Sequence, residues 1–146
     1  CDVALSGPCA VRGDLDGDGK IDDVVLVRSS DGAGGLAILW AAGTAELLGA
    51  GRRGQCWTTT EVVDLDGTSD VAPCPAEVDA DLRWIAHWEL HPRKLGARGP
   101  AAAAARRRRE YPAPGAVGDG LYLSGSDAAA VLYRAESGWI LMHLGF

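Results

Sequence analysis

Three stretches of this chain follow one grammar, and that recurrence limits the possible folds more than any other feature. Asp14 opens DLDGDGKIDDVVLVRSSDGAGGLAILW, Asp64 opens DLDGTSDVAPCPAEVDADLRWIAHW, and Gly118 opens GDGLYLSGSDAAAVLYRAESGWILMHL. Each runs from an acidic glycine turn into a short strand, a polar turn, and a strand carrying tryptophan, Trp40, Trp88 or Trp139. The first and third units predict hairpins, because short β-branched or apolar runs flank turn-forming Gly, Asp and Ser. In the middle unit, Leu82, Trp84, Ala86, Trp88 and Leu90 alternate with Arg83, Ile85, His87, Glu89 and His91. Period two predicts a strand over Leu82–His91; a helix over Ala76–Leu90 is the alternative, since Val78, Leu82 and Ile85 share a helical stripe.

Twenty glycines and seven prolines in 146 residues favour short strands joined by many turns. The length predicts a single domain over residues 1–146. A propeller needs at least about four blades of four strands, which three hairpin-sized units cannot supply. The expected fold is therefore mainly β, a small sandwich or partly open barrel of three pseudo-repeated hairpins with one short helix at most. ILMHLGF would be its closing strand.

Charge is unevenly distributed. Residues 1–81 hold fifteen acids and five bases, and residues 82–146 hold five acids and nine bases, for a net charge of −6. A strongly acidic half argues against general nucleic-acid binding. The run Arg106–Arg109 follows Pro100 and five alanines and reads as a short helix end or a solvated loop. It lies in the low-complexity excursion Gly96–Gly115. No apolar run approaches the roughly 20 residues that span a bilayer, so no transmembrane segment is expected. Cys1, Cys9, Cys56 and Cys74 form no CxxC pair and predict disulfides, taken as Cys1–Cys9 and Cys56–Cys74, in an oxidising periplasmic or secreted setting. A rival reading makes Cys1 the lipid-bearing first residue of a lipoprotein.

The densest feature is GDLDGDGKIDD, Gly13 to Asp23, which sets five aspartates against the apolar run VVLV. Counting from Asp14, carboxylates stand at positions 1, 3, 5 and 9, glycine at 6, and the Lys20 carbonyl at 7. Hard Ca²⁺ takes about six to eight oxygen ligands, and a loop turning at glycine can wrap alternate side chains around it. Without a cation these carboxylates repel one another. Position 12, a bidentate Glu in an EF-hand, is Val25, which disfavours an EF-hand pair.

The segment instead resembles the calcium loops of FG-GAP and VCBS-type repeats, as in integrin α-subunit propellers, which read DxDxDGxxD before a strand. The resemblance covers about twenty residues of the first unit. It implies one Ca²⁺ site formed by Asp14, Asp16, Asp18, the Lys20 carbonyl and Asp22. The second loop, D64-L-D66-G-T68-S-D70, is shortened and lacks ligands. The whole chain also looks like small bacterial cell-envelope proteins carrying one such loop, and some of that kind inhibit lysozyme-like effectors as immunity proteins.

Catalytic patterns are sparse. His87, Glu89 and His91 share one strand face and could ligate Zn²⁺ in a metal-dependent hydrolase, although their order is not HExxH. A polar solvent face is the simpler reading. His143 reads as a strand-surface or half-buried residue. Ser124 and Ser126 belong to ordinary turn chemistry, with no base beside them. The sequence therefore reads as non-enzymatic: a calcium-stabilised protein-binding module, with a structural or adhesive envelope component as a further alternative. Contact with a protein partner is expected at Asp31–Gly35, Gly49–Gly54 and Gly96–Gly115, because binding residues favour loops on rigid scaffolds.

Overall fold

The computed structural model describes residues 8–51, 57–61, 81–93 and 115–144. The described residues are mainly β and contain no α-helix. The strands are β1 Ala10–Gly13, β2 Asp22–Arg28, β3 Gly34–Leu39, β4 Ala45–Gly49, β5 Trp57–Glu61, β6 His87–His91, β7 Ala116–Ser124, β8 Ala129–Ala135 and β9 Gly138–His143. They form a four-stranded sheet in the order β1-β2-β3-β4 and a five-stranded sheet in the order β5-β9-β8-β7-β6. The first is an antiparallel meander. The second is antiparallel except for the β5–β9 pair, which is parallel.

The alternation of side chains along each strand builds the core. Val11, Val24, Leu36, Ile38 and Leu48 point inward from the first sheet and meet Trp88, Leu121, Leu123, Leu132, Trp139 and Leu141 from the second. The three tryptophans that mark the pseudo-repeats converge on this one cluster: Trp88 and Trp139 belong to it and Trp40 packs against it. Trp40 and Trp139 stack with centroids 6.2 Å apart, Arg134 lies over the Trp40 ring at 5.1 Å, and the Trp139 Nε1–H donates to Glu46 Oε1 at 3.0 Å. A second cluster, Tyr122, Ala129, Val131, Tyr133, Ile140, Met142 and Leu144, lies on the opposite face of β7–β9 and is also buried. The four-stranded sheet differs: on its outward face Leu39 is 47% exposed.

The hairpins expected in the first and third units are β2–β3 and β8–β9. In the first turn the Ser29 amide donates to the Ala33 carbonyl and Gly32 takes a φ of 86°, a value that favours glycine. Two expectations need correction. The middle strand spans only His87–His91; Leu82–Ala86 instead form a turn in which the Ile85 amide bonds back to the Leu82 carbonyl. Burying Leu82 and Ile85 together in the core overrides their strand alternation. The expected closing strand, described as far as Leu144, does not lie at an edge either, because β9 sits inside its sheet, between β5 and β8. The low-complexity excursion up to residue 114, the Asp64 loop and Cys1, Cys56 and Cys74 lie outside the described residues. No described helix is long and apolar enough to cross a membrane.

Candidate metal loop

Between β1 and β2 the chain must turn through a stretch with almost no apolar content, and the carboxylates themselves organise that turn. The Gly17 and Gly19 amides donate to Asp14 Oδ1 (2.8 Å) and Oδ2 (3.0 Å). The Asp18 amide donates to Asp16 Oδ1 (3.1 Å) and the Lys20 amide to Asp18 Oδ1 (2.8 Å). Gly17 and Gly19 hold φ values of 78° and 84°, which an L side chain resists. The result brings carboxylate oxygens of Asp14, Asp16 and Asp18 within 4.8 Å of one another. An ionised oxygen that accepts one amide keeps a lone pair for a cation, so this donor set fits a hard divalent ion.

Asp22 lies outside that group of three. The Lys20 ammonium lies 3.3 Å from Asp18 Oδ2. The backbone amide of Lys20, and then its ammonium, hold the Asp18 carboxyl below the usual carboxylate range. Asp22 is 1% exposed. Its Oδ2 accepts from the Leu15 amide (3.0 Å) and its Oδ1 from the Ala41 amide (2.9 Å). It ties the loop, through the fully buried Leu15, to the turn after β3.

One residue that sequence reasoning did not single out completes the loop's setting. Asp119, in β7, accepts from the Asp14 amide at Oδ2 (3.1 Å) and from the Arg93 amide at Oδ1 (2.9 Å), while its own amide donates to the Asp14 carbonyl (2.6 Å). Arg93 also donates from its guanidinium to the Val117 carbonyl. The loop lies flat on β7: a Cβ on Gly17 would stand 2.1 Å from the Val117 oxygen, and one on Gly118 2.2 Å from the Asp14 oxygen. The signal was the GDG of the third unit, whose first glycine is required by this approach.

His87, Glu89 and His91 do not assemble. His87 Nε2 stands 3.7 Å from Glu89 Oε2, but His91 is 3% exposed, and residues four apart on a strand are about 13 Å apart. Among the described residues, the one group of three potential ligands within metal-binding reach is Asp14, Asp16 and Asp18. His143 is half-buried at the end of β9. Ser126 bonds to Asp127 Oδ2 in the turn between β7 and β8. Cys9 is disulfide-bonded, to a cysteine outside the described residues. Of the expected contact loops, the turn around Asp31 is exposed at its tip, Gly49–Gly51 is the described part of the second, and Gly96–Gly115 is described only at Gly115.

Compared with protein-family models, curated proteins and solved structures, the chain matches none of them. What fold and site define is a class: a mainly β protein of two sheets, with an acidic loop able to hold a metal ion.

Proposed function

We propose that the Asp14–Asp22 loop binds Ca²⁺ as a structural ion in a non-enzymatic protein-binding module of the FG-GAP/VCBS-like kind. The observation that carries this reading is the convergence of Asp14, Asp16 and Asp18 on a loop whose own amides aim their carboxylates. Asp14, Asp16 and Asp18 would hold the ion, and the Lys20 carbonyl and Asp22 are the further ligands that the resemblance implies. The ion would supply the charge that offsets the crowded carboxylates. The disulfide at Cys9 supports a periplasmic or secreted setting. In that setting the module would bind a protein partner, as an inhibitor or immunity protein against a lysozyme-like envelope enzyme. This last step rests on the resemblance of the whole chain to small cell-envelope proteins that carry one such loop.

Chelation tests the ion. EDTA should lower the melting temperature of the wild-type protein, added Ca²⁺ should restore it, and Asp16→Ala should abolish the difference. A melting temperature indifferent to both EDTA and Ca²⁺ would remove the basis of the reading.

A further inference from the structure

Asp119 spends both carboxylate oxygens on main-chain amides from distant parts of the chain, one in the acidic loop and one just past β6. With its own amide bonded to the Asp14 carbonyl, three hydrogen bonds meet at a single residue. The loop and the chain leaving β6 also share the Val117 carbonyl region: Gly17 presses against that oxygen, and the Arg93 guanidinium donates to it. A displacement of the loop therefore shifts the same carboxylate and carbonyl that hold Arg93.

From this junction we infer that Asp119 is a latch that couples the state of the acidic loop to Arg93, two residues past β6. The loop's ion affinity is then set partly by a residue 105 positions away in sequence, and ion binding is transmitted to Arg93. The ion part of this inference rests on the proposed Ca²⁺ reading; the latch itself does not. The physical basis is a contiguous hydrogen-bond path, from the Asp14 amide and carbonyl through Asp119 to the Arg93 amide.

Amide hydrogen exchange on the full chain tests it. Gly19→Ala strains the loop through its own φ of 84° and meets no neighbour, so it perturbs the loop with little risk to folding. Exchange at Arg93 should rise about fivefold or more along with exchange in the loop. In an Asp119→Ala background, where the Arg93 amide has lost its acceptor, Gly19→Ala should add little to exchange at that amide. Asp119→Asn, which keeps one acceptor oxygen, should fall between. A loop that exchanges faster in Gly19→Ala while Arg93 keeps its wild-type rate would overturn the latch. Added Ca²⁺ should slow loop and Arg93 together. Ca²⁺ slowing the loop alone would also overturn the latch. Ca²⁺ slowing neither would sink the ion reading, while the Gly19→Ala comparison still decides the latch.

Discussion

Replacing Asp22 by alanine removes the one carboxylate in the loop that is fully enclosed by protein. Its two oxygens accept the Leu15 and Ala41 amides at 3.0 and 2.9 Å, and both amides lose their acceptor in the variant. A hydrogen bond to a charged group contributes about 1.5–3 kcal/mol, and a buried donor left unpaired costs a similar amount. The Leu15 amide is buried and should carry the full loss. The Ala41 amide is partly buried, so water can replace some of its bond. Relief of repulsion among neighbouring carboxylates works the other way, by less than about 1 kcal/mol for solvent-screened groups. The balance is a destabilisation of about 3 kcal/mol, against total stabilities of about 5–15 kcal/mol. For a chain of this size it should lower the melting temperature by about 6–12 °C. Asp22→Asn keeps one acceptor but turns an NH₂ toward an amide donor, and should cost about 2 kcal/mol. Urea unfolding in EDTA isolates the effect from any ion, provided the m-value stays constant. A loss below about 1 kcal/mol for Asp22→Ala, no more than surface substitutions give, would refute the claim that these two bonds hold the loop to the core.

Three further expectations follow from other parts of the sheets. Burial pushes the Tyr133 hydroxyl up to about 12, so phenolate absorbance near 295 nm, compared with Tyr133→Phe, should show it ionising well above the usual value of about 10. Because the folded value is the higher one, this stabilisation is complete below the unfolded pKa and disappears as pH rises through the folded one. Burial raises the Asp81 carboxyl, but the Gly34 and Arg83 amides and the Arg83 guanidinium outweigh it and hold its pKa below the usual carboxylate range. Its stabilisation is therefore present above about pH 4 and lost as pH falls through the lower folded value, and melting curves at descending pH should fall less steeply for Asp81→Asn. Gly118→Ala places a Cβ 2.2 Å from the Asp14 oxygen and should destabilise by about 1–3 kcal/mol; unchanged urea unfolding would show that the loop does not rest on β7.

The first and third hairpins were legible because their cause is local: β-branched and apolar runs flank turns whose glycines take positive φ. The acidic loop was legible for the same reason, since the bonds that Asp14, Asp16 and Asp18 accept from Gly17, Asp18, Gly19 and Lys20 span at most five residues. Asp22 could be placed in the loop, but not its tie to the turn after β3, because the Ala41 amide that bonds it arrives from 19 residues away. Asp119 was opaque for the same reason on a larger scale. Alternation over Leu82–His91 misled at its first half because the core accepts Leu82 and Ile85 from a turn as readily as from a strand. The burial of Val131, Met142 and Ile140 on the second face of β7–β9 had no signature in period-two patterning, which assumes one wet face.

The parallel pairing of β5 with β9 sets an order of assembly. Trp57 lies opposite Trp139 and Glu61 opposite His143, so this ladder joins segments about eighty residues apart. The four-stranded meander needs only neighbours in sequence and can close early. The five-stranded sheet must wait for β9, because among the described strands β5 pairs with that one alone. Non-local pairing of this kind slows folding. On a ribosome, the half of the molecule bearing the acidic loop would be formed while the half that fastens it, through Asp119, was still being made.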